Sequence, residues 1–243
     1  MNQPATSHDI RHYRRGFTLV EMLVVIAIMS ILMTAGAIGL SGMGGKGVTS
    51  GVATAESLFE EARSIAVGQR TVARVLICED LADKSSANLA NRNAYNLKRM
   101  VVISAALNAD GTPNLNSWVV ASRGAVLPDQ VFFSEDYSKK DHDNGSGAID
   151  TMPLTTGVKE TYKGNYFYYE FNAEGICTTP GASFVIGSGA RNIANPTDNP
   201  RVTSSGTRDF GGFVVWRNGR TSIFRSPTQI SPQIQGLNSG AQF

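Results

Sequence analysis

The sequence predicts an α+β protein: a long N-terminal helix, membrane-spanning in its first half and amphipathic in its second, packed on an antiparallel β-sheet domain. Three observations predict it. Residues 17–40 form an apolar run. Residues 48–66 repeat apolar side chains at helical spacing. From residue 71 the apolar residues fall into eight short segments, rich in β-branched and aromatic types and parted by Gly, Asn, Asp and Ser.

The chain has 243 residues, 42% hydrophobic, which is ample for one globular domain plus an appended element. Its net charge of +2 sits in residues 1–16, where Arg11, Arg14 and Arg15 outweigh Asp9. The remaining nineteen basic and nineteen acidic residues cancel, so the body as a whole has no pull toward nucleic acid. The distribution is uneven, however: residues 17–180 sum to −4 and residues 181–243 to +4.

The apolar run from Phe17 to Leu40 is 24 residues long, and a spanning helix needs about 20. A secretory signal has a shorter apolar core, about 7–15 residues, closed by a small-residue cleavage site. Three arginines precede the run and only Lys46 follows it closely, which places the N-terminus in the cytoplasm and the C-terminal bulk across the membrane. Glu21 stands inside the run. A carboxylate in a spanning helix costs about 2.5–3.5 kcal/mol or more, so it marks a function and calls for a partner, unless it lies near the headgroups and snorkels out.

Basic residues, Gly16, then Phe17-Thr18-Leu19-Val20-Glu21 and an apolar helix resemble the N-terminus of type IV prepilins and pseudopilins. The resemblance implies a leader over residues 1–16, cleaved between Gly16 and Phe17 by a membrane-bound prepilin peptidase that also N-methylates Phe17. It implies that Glu21 is an assembly residue, pairing with the Phe17 ammonium of a neighbouring subunit as helices bundle. The partners it implies are other pilin or pseudopilin subunits and an inner-membrane assembly platform. The location it implies is the bacterial inner membrane, single-pass, with the C-terminal domain periplasmic, and then a pilus or a type II secretion pseudopilus. No cofactor and no metal are implied.

Residues 41–70 are expected to hold a glycine joint and an amphipathic helix. "GLSGMGGKG" (39–47) has five glycines in nine residues, each disfavouring helix by about 1 kcal/mol relative to Ala. It is either a weak joint in one long helix or a flexible linker. Beyond it Val48, Val52, Ala55, Leu58, Phe59, Ala62, Ile65 and Ala66 give a helix face. The β domain is expected over 71–226, with strands at 71–78, 99–106, 117–122, 130–134, 165–172, 182–188, 211–218 and 220–226. The last two flank Asn218-Gly219, which predicts a hairpin with a type I′ turn. Polar inserts at 79–98, 135–163 and 188–209 are expected as exposed loops, and residues 227–243 as a loosely ordered tail. "LFEEARSIAVGQRTVARVLI" (58–77), "FNAEG" (171–175) and the late "NGR" (218–220) resemble the H-type minor pseudopilins and FimT-like minor pilins.

Chemistry is sparsely supplied. After the leader, His142 is the one histidine, expected on a solvated loop; no Ser-His-Asp or metal cluster can be built from it, which argues against an anchored enzyme. Cys78 and Cys177 could form one disulfide in a translocated domain, or stand as two buried thiols. Asp141, Asp143 and Asn144 fail the spacing of an EF-hand calcium loop. Arg217, Arg220 and Arg225 lie near Trp216 and Phe224, a mixture compatible with nucleic acid. FimT-like minor pilins take up DNA through a basic C-terminal region with a Gly-Arg-x-Arg sequence. "GRTS" (219–222) keeps Arg220 and lacks the second Arg, so a solvated strand edge is the main expectation and nucleic acid is not an expected partner.

Overall fold

The computed structural model describes residues 19–29, 43–82, 94–191, 200–202 and 210–231. The chain divides into two units, Met1–Met43 and Gly44–Phe243. In the first unit, residues 19–29 form helix α1. Its apolar side chains are exposed, Leu19 by 82% and Met29 by 62%. Gly16, Phe17, Thr18 and residues 30–40 of the expected span lie outside the described residues. Among the described residues no helix is long and apolar enough to cross a membrane.

Helix α2 runs Met43–Gln69, so residues 43–47 of the glycine stretch are helical; residues 39–42 lie outside the described residues. Close approach to the body favours glycine at Gly47, in this stretch, and at Gly51, one turn further on. A Cβ on Gly51 would lie 2.7 Å from Ile186 Cδ1, and one on Gly47 would lie 3.2 Å from Val131 Cγ2. A side chain at Gly51 would have to displace the tip of Ile186 and one at Gly47 would press on Val131, so the helix approaches the body closely at both positions. Val48, Val52, Ala55, Phe59, Ala62 and Ala66 are buried, alternating by four and three residues as one face of a helix must. The helix ends at Arg70, which takes a positive φ of 52°. Thr71 N–H donates to Ala66 O (3.0 Å) and Arg70 N–H to Val67 O (3.3 Å), the paired bonds of a Schellman cap with arginine where glycine is usual.

The expected sheet is two sheets. The larger contains β1 (Ala73–Leu81), β2 (Arg99–Leu107), β3 (Pro113–Val120), β4 (Ala125–Val126), β8 (Thr151–Leu154) and β9 (Gly164–Phe171). Its order is β3-β2-β1-β9-β8, with β4 beside β2. The smaller contains β5 (Val131–Phe133), β10 (Ala182–Ala190), β11 (Arg201–Val202), β12 (Phe210–Val215) and β13 (Thr221–Ile223). Its order is β11-β10-β12-β13, with β5 beside β10. All pairs are antiparallel. Phe59 of α2 serves both sheets: its ring lies 5.0 Å from Tyr169 and 6.2 Å from Phe171 of β9, and 5.6 Å from Phe184 and 5.0 Å from Phe213 in the smaller sheet.

The inserts are not plain loops. Residues 135–163 contain a small ribbon, β6 (Lys139–Asp141) with β7 (Ser146–Ala148), then β8 and a 3-10 turn, Glu160–Tyr162. Tyr95, Val158 and Tyr162 pack against a second apolar cluster on the face of the larger sheet that includes Leu76, Cys78, Val101, Ile103, Trp118 and Tyr166. Strands buried on both faces need such a cover, and the polar inserts supply it. Leu97, buried and at φ +58°, stands between the sheets. Its N–H donates to Cys78 O of β1 and its carbonyl accepts from Phe133 N–H of β5, each at 2.7 Å. The expected tail begins as a one-turn helix, α3 (Pro227–Ile230), with Ile230 buried; residues 232–243 lie outside the described residues.

Candidate functional site

Two regions bear the residues that the sequence singles out. The first is the N-terminal segment. Glu21 stands in the first turns of α1, on a helix whose described side chains are all exposed. Gly16 and Phe17, the expected cleavage and methylation positions, lie outside the described residues. A run of exposed Leu, Val, Ile and Met side chains is a surface for lipid or for other helices rather than for water.

The second region is the hairpin β12–β13. It forms at Asn218-Gly219 as expected, but with a different turn. Gly219 has φ +74° and Asn218 does not share it, so the type I′ geometry is absent. Gly219 N–H donates to Trp216 O and Trp216 N–H to Arg220 O, both at 2.8 Å, as in the longer loop built on a type I turn and a glycine bulge. The Asn218 side chain selects it by accepting a bond from Arg220 N–H at 3.0 Å.

Helix α2 grips this hairpin from below at residues seven apart on one face. Glu56 Oε1 accepts a hydrogen bond from the Thr221 hydroxyl. Arg63 Nε donates to the Gly175 carbonyl at 3.3 Å. A Cβ on Gly219 would lie 2.6 Å from both Arg63 Cδ and Gly175 O, and one on Gly175 would lie 2.8 Å from Val67 Cγ2. Gly175 closes a turn in which Asn172 Oδ1 accepts from Glu174 N–H (3.2 Å) and Ile176 N–H (2.9 Å). The helix end, "FNAEG" and "NGR" therefore meet around one arginine stem. Sequence reasoning missed the roles of Glu56 and Arg63; the signal for them is their seven-residue spacing.

Arg217, Arg220 and Arg225 are exposed, and among the described residues none of the three makes an ion pair. Trp216 is 43% exposed, its indole N–H donating to Ser222 Oγ at 2.8 Å. The hairpin thus offers guanidinium groups beside one exposed aromatic ring. That combination can hold an anion or stack on a flat group.

The remaining candidates are accounted for by packing. Cys78 and Cys177 are free, buried thiols, the second of the two alternatives that the sequence leaves open. Cys78 faces the outer cluster at Tyr166, whereas Cys177 lies in the core under α2, beyond the other end of β9 at Phe171. Burial pushes the Cys78 thiol up from 9.0 to about 12, and burial raises Cys177 as well. Neither suits a nucleophile. His142 is half-buried rather than solvated, its Nε2 3.1 Å from the Gln229 carbonyl and its ring 4.7 Å from that of Phe224. The Asp141 carboxylate accepts bonds from the Asn144 side chain (2.6 Å) and backbone (3.1 Å), and these hold its pKa below the ordinary value. Among the described residues no group of three or more His, Cys, Asp or Glu could hold a metal ion.

Comparison with known proteins gives one informative match. Residues 11–37 match the family model of the prokaryotic N-terminal methylation motif. No curated protein matches the sequence. Among solved structures, the type IV minor pilin FimU of Pseudomonas aeruginosa (strain PAO1) aligns at 14% identity and a TM-score of 0.32, over 73% of this chain and 87% of that one.

Proposed function

We propose that this chain, whose N-terminus is of the prepilin type by its methylation motif, is a minor structural subunit of a type IV pilus or type II secretion pseudopilus. The motif over residues 11–37 carries the reading. In it the leader is cut between Gly16 and Phe17, Phe17 is N-methylated, and the apolar helix holds the subunit in the inner membrane until assembly. Removal of the leader leaves an ammonium at Phe17. The Glu21 carboxylate of a neighbouring subunit offsets that charge in hydrocarbon and sets the stagger between helices. The peptidase, other subunits and an assembly platform are the partners.

Mass spectrometry of the chain from its native host tests this. The expected N-terminus is N-methylated Phe17, and Gly16→Val blocks its formation. A chain that still begins at Met1, or one cut beyond residue 35, sinks the reading. Glu21→Val is expected to be processed and folded but to enter filaments poorly; incorporation at the wild-type level would make Glu21 a residue at the headgroups only.

A second reading, capture of DNA by the C-terminal hairpin, is supported by the exposed Arg217, Arg220 and Arg225 beside Trp216. Three guanidinium groups neutralise about three phosphates, giving a log K against log salt slope of about −3 and non-specific affinity only. Salt-sensitive binding to duplex DNA tighter than about 1 µM, lost on Arg217→Ala with Arg220→Ala, would promote this reading over the first.

A further inference from the structure

Two Asn-Gly pairs occur on hairpin tips, Asn144-Gly145 and Asn218-Gly219, and the fold treats them oppositely. Asn-Gly is the dipeptide most open to attack of a backbone nitrogen on the preceding side-chain amide, because glycine has no side chain to hinder the approach. In both pairs the reacting N–H is engaged: Gly145 N–H donates to His142 O at 3.1 Å and Gly219 N–H to Trp216 O at 2.8 Å. Reaction therefore requires the turn to open first, and the cost of opening decides between them.

At Asn218 that cost is high. Gly219 is buried, and a Cβ there would meet Arg63 Cδ and Gly175 O at 2.6 Å. The turn cannot swing without displacing the arginine stem that α2 lays beneath it. At Asn144 it is low. Asn144, Gly145 and the whole of β7 are exposed, and a Cβ on Gly145 would meet nothing within 4 Å. Strands β6 and β7 are three residues each; the ribbon is tied to the body by Lys139 N–H to Ser183 Oγ (2.9 Å), His142 N–H to Gly181 O (3.0 Å) and the Lys140–Asp150 ion pair (2.6 Å), whereas the bonds of Asn144 and Gly145 at its tip stay within the turn. The side-chain restraint on Asn144 is its bond to Asp141 Oδ2, which water replaces when the tip opens.

We propose that Asn144 is a site of spontaneous covalent modification, and that the clamp of α2 protects Asn218 from the same reaction. The Gly145 nitrogen loses its proton to water and bonds to Asn144 Cγ. The Cγ–Nδ2 bond breaks, ammonia leaves, and a succinimide ring remains. Water then adds to either ring carbonyl and opens the ring to aspartate or to isoaspartate; no oxidant or reductant is involved. Either product sets a second carboxylate against Asp141 where an amide donor stood. The tip is thereby loosened beside His142, whose ring nitrogen meets Gln229 of α3.

The test is peptide mapping of the purified full-length chain during incubation at mildly alkaline pH, folded and in concentrated urea. Expected is conversion at Asn144 at least about tenfold faster than at Asn218 in the folded protein, with the difference collapsing in urea. Arg63→Ala should speed conversion at Asn218 and leave Asn144 unchanged. Equal rates in the folded protein, a faster Asn218, or no conversion at Asn144 would each overturn the proposal, as would a rate at Asn218 indifferent to Arg63.

Discussion

The guanidinium stem of Arg63 runs beneath Gly219, and its Nε donates to the Gly175 carbonyl at 3.3 Å. One helical side chain thereby fixes two turns that lie more than forty residues apart in the sequence. Arg63→Ala removes the packed stem as well as the hydrogen bond, and is expected to destabilise the body by about 1–2 kcal/mol. Hydrogen exchange should show the Gly219 and Arg220 amides losing protection first. Gly219→Ala should cost more, above about 2 kcal/mol, because the added methyl meets a backbone oxygen at a positive φ.

Arg70 closes α2 in a conformation that costs a residue with a Cβ about 1 kcal/mol or more. Its side chain is exposed and makes none of the described ion pairs. Arg70→Gly is therefore expected to stabilise by about 0.5–1 kcal/mol. Thermal melting should read this as a rise of about 1–4 °C.

Phe59 is fully buried and touches four aromatic rings. Phe59→Ala is expected to cost about 3–5 kcal/mol, measured by the denaturant midpoint, with Phe59→Leu losing less than half of that.

Burial raises the Cys78 thiol from 9.0 to about 12. The folded state therefore binds this proton more tightly than the unfolded state. The stability linked to it is whole below about pH 9 and is lost as the pH climbs toward about 12. Stability measured across that range should fall, and Cys78→Ala should flatten the fall. At neutral pH Cys78 in the folded chain should resist thiol reagents that label it at once in denaturant.

Helix α2 was legible in sequence because one period, Val48 to Ala66, ran without interruption. The strands were legible as well, since β-branched runs such as "RMVVISAA" have no competing helical pattern. Their division into two sheets was not. That division depends on which side of α2 each strand meets, and Phe59 looks the same in sequence whether it packs on one sheet or on two. Gly47 was misleading for a related reason: propensity reads glycine as a break, whereas here the position is helical and lies close to Val131. Exposure of Arg217, Arg220 and Arg225 could be read from their hairpin context, but the clamp beneath them rests on contacts over 100 residues apart, such as Arg63 with Gly175.

A body with two sheets has, in principle, two ways to melt. Leu97 removes one of them. Its N–H is hydrogen-bonded to Cys78 of one sheet and its carbonyl to Phe133 of the other, so parting the sheets breaks one of these two bonds. With Phe59 packed against rings of both sheets in one shared core as well, neither half should loosen while the other stays intact. A chain built this way should offer no half-open form to proteases or to stray partners. Under tension it should hold without measurable softening and then give way in one step.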